Sequence, residues 1–66
     1  MKFRELDTVK VTKDINGKVK KDMVGVIVYA TEGYDIYEVE FLDIEGYTID
    51  LQTINEENLE LISNNE

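Results

Sequence analysis

The sequence contains no cysteine, histidine, tryptophan or proline. Without cysteine no disulfide can form and no thiolate zinc site can exist. Without histidine the commonest metal ligand and the commonest general base at neutral pH are both missing. The chain also has no stretch approaching the ~20 apolar residues that span a bilayer, and its start, MKFRELDTV, lacks the apolar run of a signal peptide. We therefore expect a cytoplasmic protein that uses no metal ion and no cofactor.

A chain of 66 residues has room for one hydrophobic core and hence for one domain. At this size a single core supplies a net stability of only about 3–5 kcal/mol, and small domains usually add a disulfide, a metal ion or a partner. Since the composition argues against the first two, binding to another protein, or a weak homodimer, is the remaining way to bury more surface.

Charge is divided unevenly along the chain. Residues 1–22 contain all seven basic residues and four acids and sum to +3, whereas residues 23–66 contain eleven acids and no base and sum to −11. The resulting net charge of −8 repels nucleic-acid phosphates and anionic membrane surfaces. It favours either plain solubility or attraction to a basic partner. We do not expect nucleic-acid binding, which would depend on Lys10, Lys13, Lys18, Lys20 and Lys21.

The stretch from Tyr34 to Gln52 contains two runs in which apolar and polar residues alternate. A period of two predicts strands that bury one face and expose the other. The residues predicted to face the core are Tyr37, Val39 and Phe41 in the first run and Tyr47, Ile49 and Leu51 in the second. The residues predicted to face solvent are Glu38 and Glu40 in the first run and Thr48, Asp50 and Gln52 in the second. Between the runs, Gly46 can take the positive φ of a hairpin turn that begins at Asp43.

The strands predicted outside this hairpin are Thr8–Thr12, Met23–Ala30 and Leu59–Ile62. The second of them is strongly apolar and is expected to be covered on both faces, with a bulge or bend at Gly25. Between the first two strands a polar loop turns at Asn16–Gly17, because both residue types tolerate positive φ. Ile15 and Val19 are expected to pack from this loop against the core.

These elements predict an all-β fold, a small five-stranded SH3-like barrel over residues 1–62 with a short 3₁₀ turn before the last strand. Closure into a barrel avoids the unpaired edges of an open sheet. Phe3 and Leu6 are expected to anchor the N-terminal segment, and residues 63–66 to form a disordered C-terminal tail. One alternative stays open near the C-terminal end, a single helix from Ile54 to Ile62 with acids in its first turn.

Several motifs occur in an order that resembles a known family. They are MKFRELDTVKVTKDI at the start, Lys20-Lys21 followed by Gly25-x-Ile27-Val28, YEVEF from Tyr37 to Phe41, Asp43-x-x-Gly46-x-Thr48, and LQT from Leu51 to Thr53. Together they resemble, from Met1 to Leu61, a family of short bacterial proteins known only as a domain of unknown function. The resemblance implies an SH3-like barrel and a role beside bacterial toxin or conflict systems, as an immunity or antitoxin partner. No catalytic residue can be carried over, because none is known for the family.

The candidate site is a protein-binding surface that combines two tyrosines near turns with outward-pointing acids. Its predicted members are Tyr29, Tyr34, Asp35, Glu38, Glu40, Asp43 and Asp50. Nothing desolvates carboxylates on an exposed strand face, so catalysis is not expected, and the spacing of the acids matches no known metal-binding loop. We expect a non-enzymatic module whose acidic face occupies a basic partner protein such as a toxin. The alternative is a general SH3-like adaptor or a self-associating structural protein.

Overall fold

The structure, a computed structural model, describes residues 2–64. Its elements are β1 (Thr8–Val11), β2 (Val24–Ala30), β3 (Ile36–Leu42), β4 (Thr48–Asn55), a 3₁₀ turn (Glu56–Asn58) and β5 (Leu59–Ser63). The five strands form one antiparallel sheet in the order β4-β3-β2-β1-β5. The predicted all-β fold of five strands with a 3₁₀ turn before the last strand is confirmed, and the alternative helix from Ile54 to Ile62 is wrong. No helix within residues 2–64 has the length and apolar character needed to cross a membrane.

The core lies on one side of the sheet, which we call the inner side. Its buried residues are Phe3, Val9, Val11, Val19, Ile27, Tyr37, Val39, Phe41, Ile54 and Leu59. In β1 and β3 every second residue is buried, as the alternation predicts. Val19 is buried and Ile15 packs partly against the core, also as predicted. The β1–β2 loop therefore covers the inner side of the sheet.

Strand β2 differs from its prediction in two ways. It was expected to be covered on both faces, but Val28 and Tyr29 are exposed, because no second layer covers the side away from the core. A bulge or bend was expected at Gly25, but the bulge lies further along the strand, because the register shifts after Ile27 and leaves Val28 as the extra residue. Gly25 instead occupies a position where a Cβ atom would come within 2.9 Å of the Phe41 ring.

Strand β4 also contains a bulge. Leu42 pairs with Thr48 and Phe41 pairs with Asp50, so that Ile49 is an extra residue in β4. Residues that pair directly across an antiparallel ladder point to the same face. Asp50 therefore points to the inner side of the sheet, as Phe41 does.

This bulge overturns the predicted facing of the second alternating run. Leu51, which follows the bulge, was expected in the core but is exposed, whereas Ile49 packs partly against core residues. Tyr47 was also expected in the core, but it lies in the β3–β4 connection before β4 begins and is exposed. Beyond the bulge the strand alternates in the opposite phase, and Ile54 is its buried residue. A shift of one residue moves each following side chain to the other face, which is why the prediction failed for the whole second half of the strand.

The N-terminal segment packs against β2 and β3. Phe3 is buried as predicted, and its ring meets that of Tyr37 edge to face with centroids 5.4 Å apart. The buried Asp7 accepts a hydrogen bond from the backbone N–H of Arg4 through Oδ2 at 2.9 Å. Leu6 was expected to be a second anchor, but it is exposed and has a positive φ of 73°. Its backbone N–H instead donates a hydrogen bond to the carbonyl oxygen of Ile27 at 2.7 Å.

At the C-terminal end the last strand extends further than predicted. Ser63, which was expected to begin the disordered tail, is the last residue of β5. Residues 65 and 66, which complete the predicted tail, lie outside the residues that the structure describes.

Candidate functional site

The side of the sheet away from the core is exposed, and we call it the outer face. Because directly paired residues share a face, the register of the ladders identifies its members. On strands β2, β3 and β4 these are Val24, Val26, Tyr29, Ile36, Glu38, Glu40, Leu42, Thr48, Leu51, Thr53 and Asn55. None of these three strands contains a basic residue.

The bulge at Val28 brings Tyr29 to the outer face. In a regular ladder Tyr29 would stand opposite Tyr37 and point into the core, but the shifted register pairs it with Glu38. Tyr29 is 55% exposed. The aromatic ring and the acid that were predicted to be neighbours are thus directly opposite each other on adjacent strands.

Each outward glutamate of β3 accepts a hydrogen bond from a threonine hydroxyl of β4. Thr53 Oγ1 donates to Glu38 Oε2 at 2.6 Å, and Thr48 Oγ1 donates to Glu40 Oε2 at 2.7 Å. Both glutamates are half-buried. An ionised carboxylate has about four acceptor positions, so each can still accept hydrogen bonds from an external donor. The two hydroxyls therefore orient the carboxylates without using up their capacity to bind.

Apolar side chains surround Glu40, and they were not among the predicted site residues. Val26 and Leu51 stand directly opposite Glu40 on its two sides. Leu51 is 53% exposed and Val24 is 47% exposed. Because β2 is apolar along its whole length, its sequence does not show that Val24 and Val26 point outward. Leu51 could not have been found, because its facing depends on the bulge in β4.

Asp50 does not belong to the outer face, contrary to the prediction. On the inner side its Oδ2 accepts hydrogen bonds from Asn16 Nδ2 at 3.0 Å and from Gln52 Nε2 at 2.8 Å. These two bonds, that from Asn16 above all, hold the pKa of the Asp50 carboxyl below its ordinary value, because they stabilise the charged form. Asp50 thereby attaches the lysine-rich β1–β2 loop to β4.

The remaining predicted site residues lie beyond the two ends of β3. Asp43 stabilises the β3–β4 turn, where its Oδ1 accepts hydrogen bonds from the backbone N–H groups of Glu45 and Tyr47, both at 2.9 Å. Tyr34, which is 65% exposed, and Asp35 lie in the β2–β3 turn at the opposite end. The predicted site residues that the structure brings together on the outer face are Tyr29, Glu38 and Glu40.

An open depression near the 3₁₀ turn carries further acids. It is lined by Lys2, Asp35, Asn55, Glu56 and Glu57. Across residues 2–64, no three acidic side chains are grouped closely enough to hold a metal ion. The depression therefore offers charge and hydrogen bonding, whereas the outer face adds exposed aromatic and aliphatic side chains.

The strand order and the 3₁₀ turn define the class of the protein, a small all-β domain built on one five-stranded antiparallel sheet. Within that class, a family model matches residues 5–61, and the chain belongs to this family, a domain of unknown function (DUF4926). No curated protein and no solved structure matches the chain. The expected membership of a family of unknown function is confirmed, and the matched residues include the whole outer face.

Proposed function

We propose that the protein is a non-enzymatic binding module whose outer face occupies a basic surface of a partner protein. The observation that carries the proposal is the oriented pair Glu38 and Glu40 beside the exposed ring of Tyr29. Tyrosine is favoured at interfaces because it offers a large contact area, few rotamers and a hydroxyl. The net charge of −8 adds long-range attraction toward a basic partner.

Most basic residues of the chain lie away from the outer face or next to acids, so they repel a basic partner only weakly. The β1–β2 loop, which holds most of the lysines, covers the inner side of the sheet. Lys10 lies on the outer side of β1, where it pairs with Val24 in the ladder. Its Nζ is 3.5 Å from a carboxylate oxygen of Glu60 and 3.8 Å from one of Asp22, which offset its charge.

A toxin that acts on RNA or DNA is the class of partner that suits this face. Such enzymes carry cations in the clefts that bind phosphate, because phosphate affinity comes largely from lysine and arginine. An acidic protein that blocks such a cleft gains both electrostatic steering and complementarity. An immunity or antitoxin role is also what the sequence resemblance implies.

The test starts with affinity capture by the full chain from host lysate at low and high salt, followed by binding kinetics with the captured partner. The decisive variant carries Glu38→Lys and Glu40→Lys together. We expect its association rate at low salt to fall by about tenfold or more, because steering depends on charges facing the partner. Far-UV circular dichroism should stay unchanged, because both side chains lie outside the core.

The matched control carries Glu5→Lys and Glu57→Lys, which change the net charge by the same amount at exposed positions outside the outer face. If the control slows association as much as the outer-face variant, net charge rather than this face steers the partner. If the outer-face variant is folded and binds unchanged, the proposal is wrong. Capture of only this protein, with a mass that rises with concentration, would favour the self-associating module instead.

A further inference from the structure

The centre of the outer face is a carboxylate set among apolar side chains. Glu40 stands between Val26 on β2 and Leu51 on β4, and Leu42 lies two residues further along its own strand. Val24 and Leu51 are about half exposed, so the apolar atoms around the carboxylate are accessible. A partner that covers Glu40 must therefore also cover aliphatic surface.

This combination restricts what can lie on the face. An occupant that is apolar throughout would bury the Glu40 carboxylate without a counter-charge, which is strongly unfavourable. A second copy of the chain, docked symmetrically about Glu40, would bring one Glu40 against another, and strands β2 to β4 contain no base to separate them. The neighbouring outward base, Lys10 of β1, already lies near Asp22 and Glu60. The partner must therefore carry a cation opposite the Glu40 carboxylate and apolar groups opposite the aliphatic side chains around it.

The geometry points to a partner surface in which one arginine projects from an apolar patch and pairs with Glu40, an inference that rests on the proposed function and names the chemistry of its partner. Arginine suits the position better than lysine because a guanidinium is more weakly hydrated than an ammonium and binds carboxylates through a planar fork. The exposed ring of Tyr29, beside Glu38, provides an aromatic face on which a guanidinium can also stack. The hydroxyl of Thr48 holds the Glu40 carboxylate in place for this contact.

Three short peptides test the inference directly on the full chain. They are acetyl-Leu-Arg-Leu-amide, acetyl-Leu-Lys-Leu-amide and acetyl-Leu-Gln-Leu-amide, each titrated into ¹⁵N-labelled protein while amide chemical shifts are followed. We expect shifts at Val26, Glu40 and Leu51, with the arginine peptide bound about threefold more tightly than the lysine peptide and about tenfold more tightly than the glutamine peptide.

Two variants separate the charge from its apolar surroundings. Glu40→Gln should reduce binding of the arginine peptide to the level of the glutamine peptide, because the carboxylate is then absent. Leu51→Ser should weaken all three peptides alike, by about threefold to fivefold, because it removes apolar contact that they share. The matched controls are Glu57→Gln on the 3₁₀ turn and Leu61→Ser on β5, at the opposite edge of the sheet, and both should bind like the wild type.

Equal affinities for the three peptides, shifts confined to the β1–β2 loop, or unchanged arginine binding in the Glu40→Gln variant would each overturn the inference. The kinetic test of the proposed function is independent of these outcomes. If charge reversal at Glu38 and Glu40 slows association with the captured partner while the peptides show no preference, the acidic face binds its partner without an arginine at its centre. If the peptides behave as expected while charge reversal has no effect on that partner, the face binds arginine but the proposed function is wrong.

Discussion

The hydroxyl of Tyr37 links three parts of the chain through hydrogen bonds. It donates to Glu56 Oε2 in the 3₁₀ turn at 2.7 Å and accepts from the backbone N–H groups of Lys2 and Phe3 at 3.1 and 3.2 Å. Its ring also packs edge to face against that of Phe3 in the core. A single side chain of β3 is thus bonded to both the N-terminal segment and the 3₁₀ turn that precedes β5.

Replacement of this hydroxyl tests its contribution to stability. Tyr37→Phe keeps the ring but leaves the buried N–H of Phe3 without this acceptor, and we expect the free energy of unfolding to fall by about 1–3 kcal/mol. The measurement is urea unfolding followed by circular dichroism. The matched control is Tyr34→Phe at an exposed position, which should change stability by less than about 0.5 kcal/mol. Equal stability of the two variants would show that the hydroxyl network contributes nothing.

The same network makes the contribution of Tyr37 depend on alkaline pH. Burial, and next the hydrogen bond to Glu56, raise the pKa of Tyr37 above its ordinary value of about 10. The unfolded chain then loses this proton at lower pH than the folded chain, so the stabilisation is complete below about pH 10 and is lost as the pH rises through the folded pKa. The stability difference between the wild type and Tyr37→Phe should therefore narrow between about pH 7 and about pH 11. A constant difference would contradict the raised pKa.

Among the elements, β2 and β3 approach each other closely at Gly25. A Cβ atom there would lie 2.8 Å from the backbone oxygen of Glu40 and from Val39 Cγ1, and 2.9 Å from Phe41 Cδ1. Backbone cannot move aside as the end of a flexible side chain can, so the contact with Glu40 requires the two strands to separate. The absence of a side chain at this position lets β3 place its large core residues against β2.

Gly25→Ala should accordingly destabilise the protein, by about 1–3 kcal/mol, as overpacking of a core does. The matched control is Gly17→Ala in the β1–β2 loop, where an added Cβ would meet no atom within 4 Å and φ is not positive. That variant should be neutral, or more stable by up to about 1 kcal/mol because its unfolded chain is less flexible. Both are measured by urea unfolding. If the two alanine variants are equally stable, the close approach of the strands is not needed for the fold.

The β3–β4 hairpin shows which parts of the sheet the sequence pattern can predict. In β3 the alternation predicts the facing of Tyr37, Val39 and Phe41 correctly, because the strand runs through its ladder without an inserted residue. In β4 a similar alternation fails, since an extra residue inverts the facing of all those after it. Ile49 packs partly against the core and Asp50 reaches Asn16 in a distant loop. Such contacts are tertiary, and the local pattern does not contain them.

In the candidate site, too, alternation predicts the facing of some residues, whereas bulges determine the facing of others. The outward facing of Glu38 and Glu40 follows from the alternation alone, and it was predicted correctly for both residues. Tyr29 reaches the outer face only because of the bulge after Ile27, which was predicted at the wrong residue. Because of the other bulge, in β4, Asp50 points to the inner side and Leu51 points to the outer face in its place. The outer face is therefore more apolar than the sequence suggested. Bulges on two strands therefore decide the composition of the site.

For the whole molecule, folding brings a strongly unbalanced set of charges together. Acids exceed bases by eight, and the sheet places β3, β4 and the 3₁₀ turn, which contain no base, next to one another. Ion pairs, such as those of Lys10 with Asp22 and Glu60, offset part of the repulsion among the acids. With a net charge this far from zero, repulsion among like charges exceeds attraction and destabilises the folded state.

Salt should therefore stabilise the protein, because it screens interactions between exposed charges over about 10 Å at 0.1 M and about 3 Å at 1 M. We expect the urea midpoint to rise between low and high sodium chloride. The variant Glu5→Gln with Glu57→Gln lowers the net negative charge and should respond less to salt. The variant Lys20→Gln with Lys21→Gln raises the net negative charge and should respond more. Identical salt dependence in all three proteins would show that the net charge has no effect on stability and that its consequences are confined to binding.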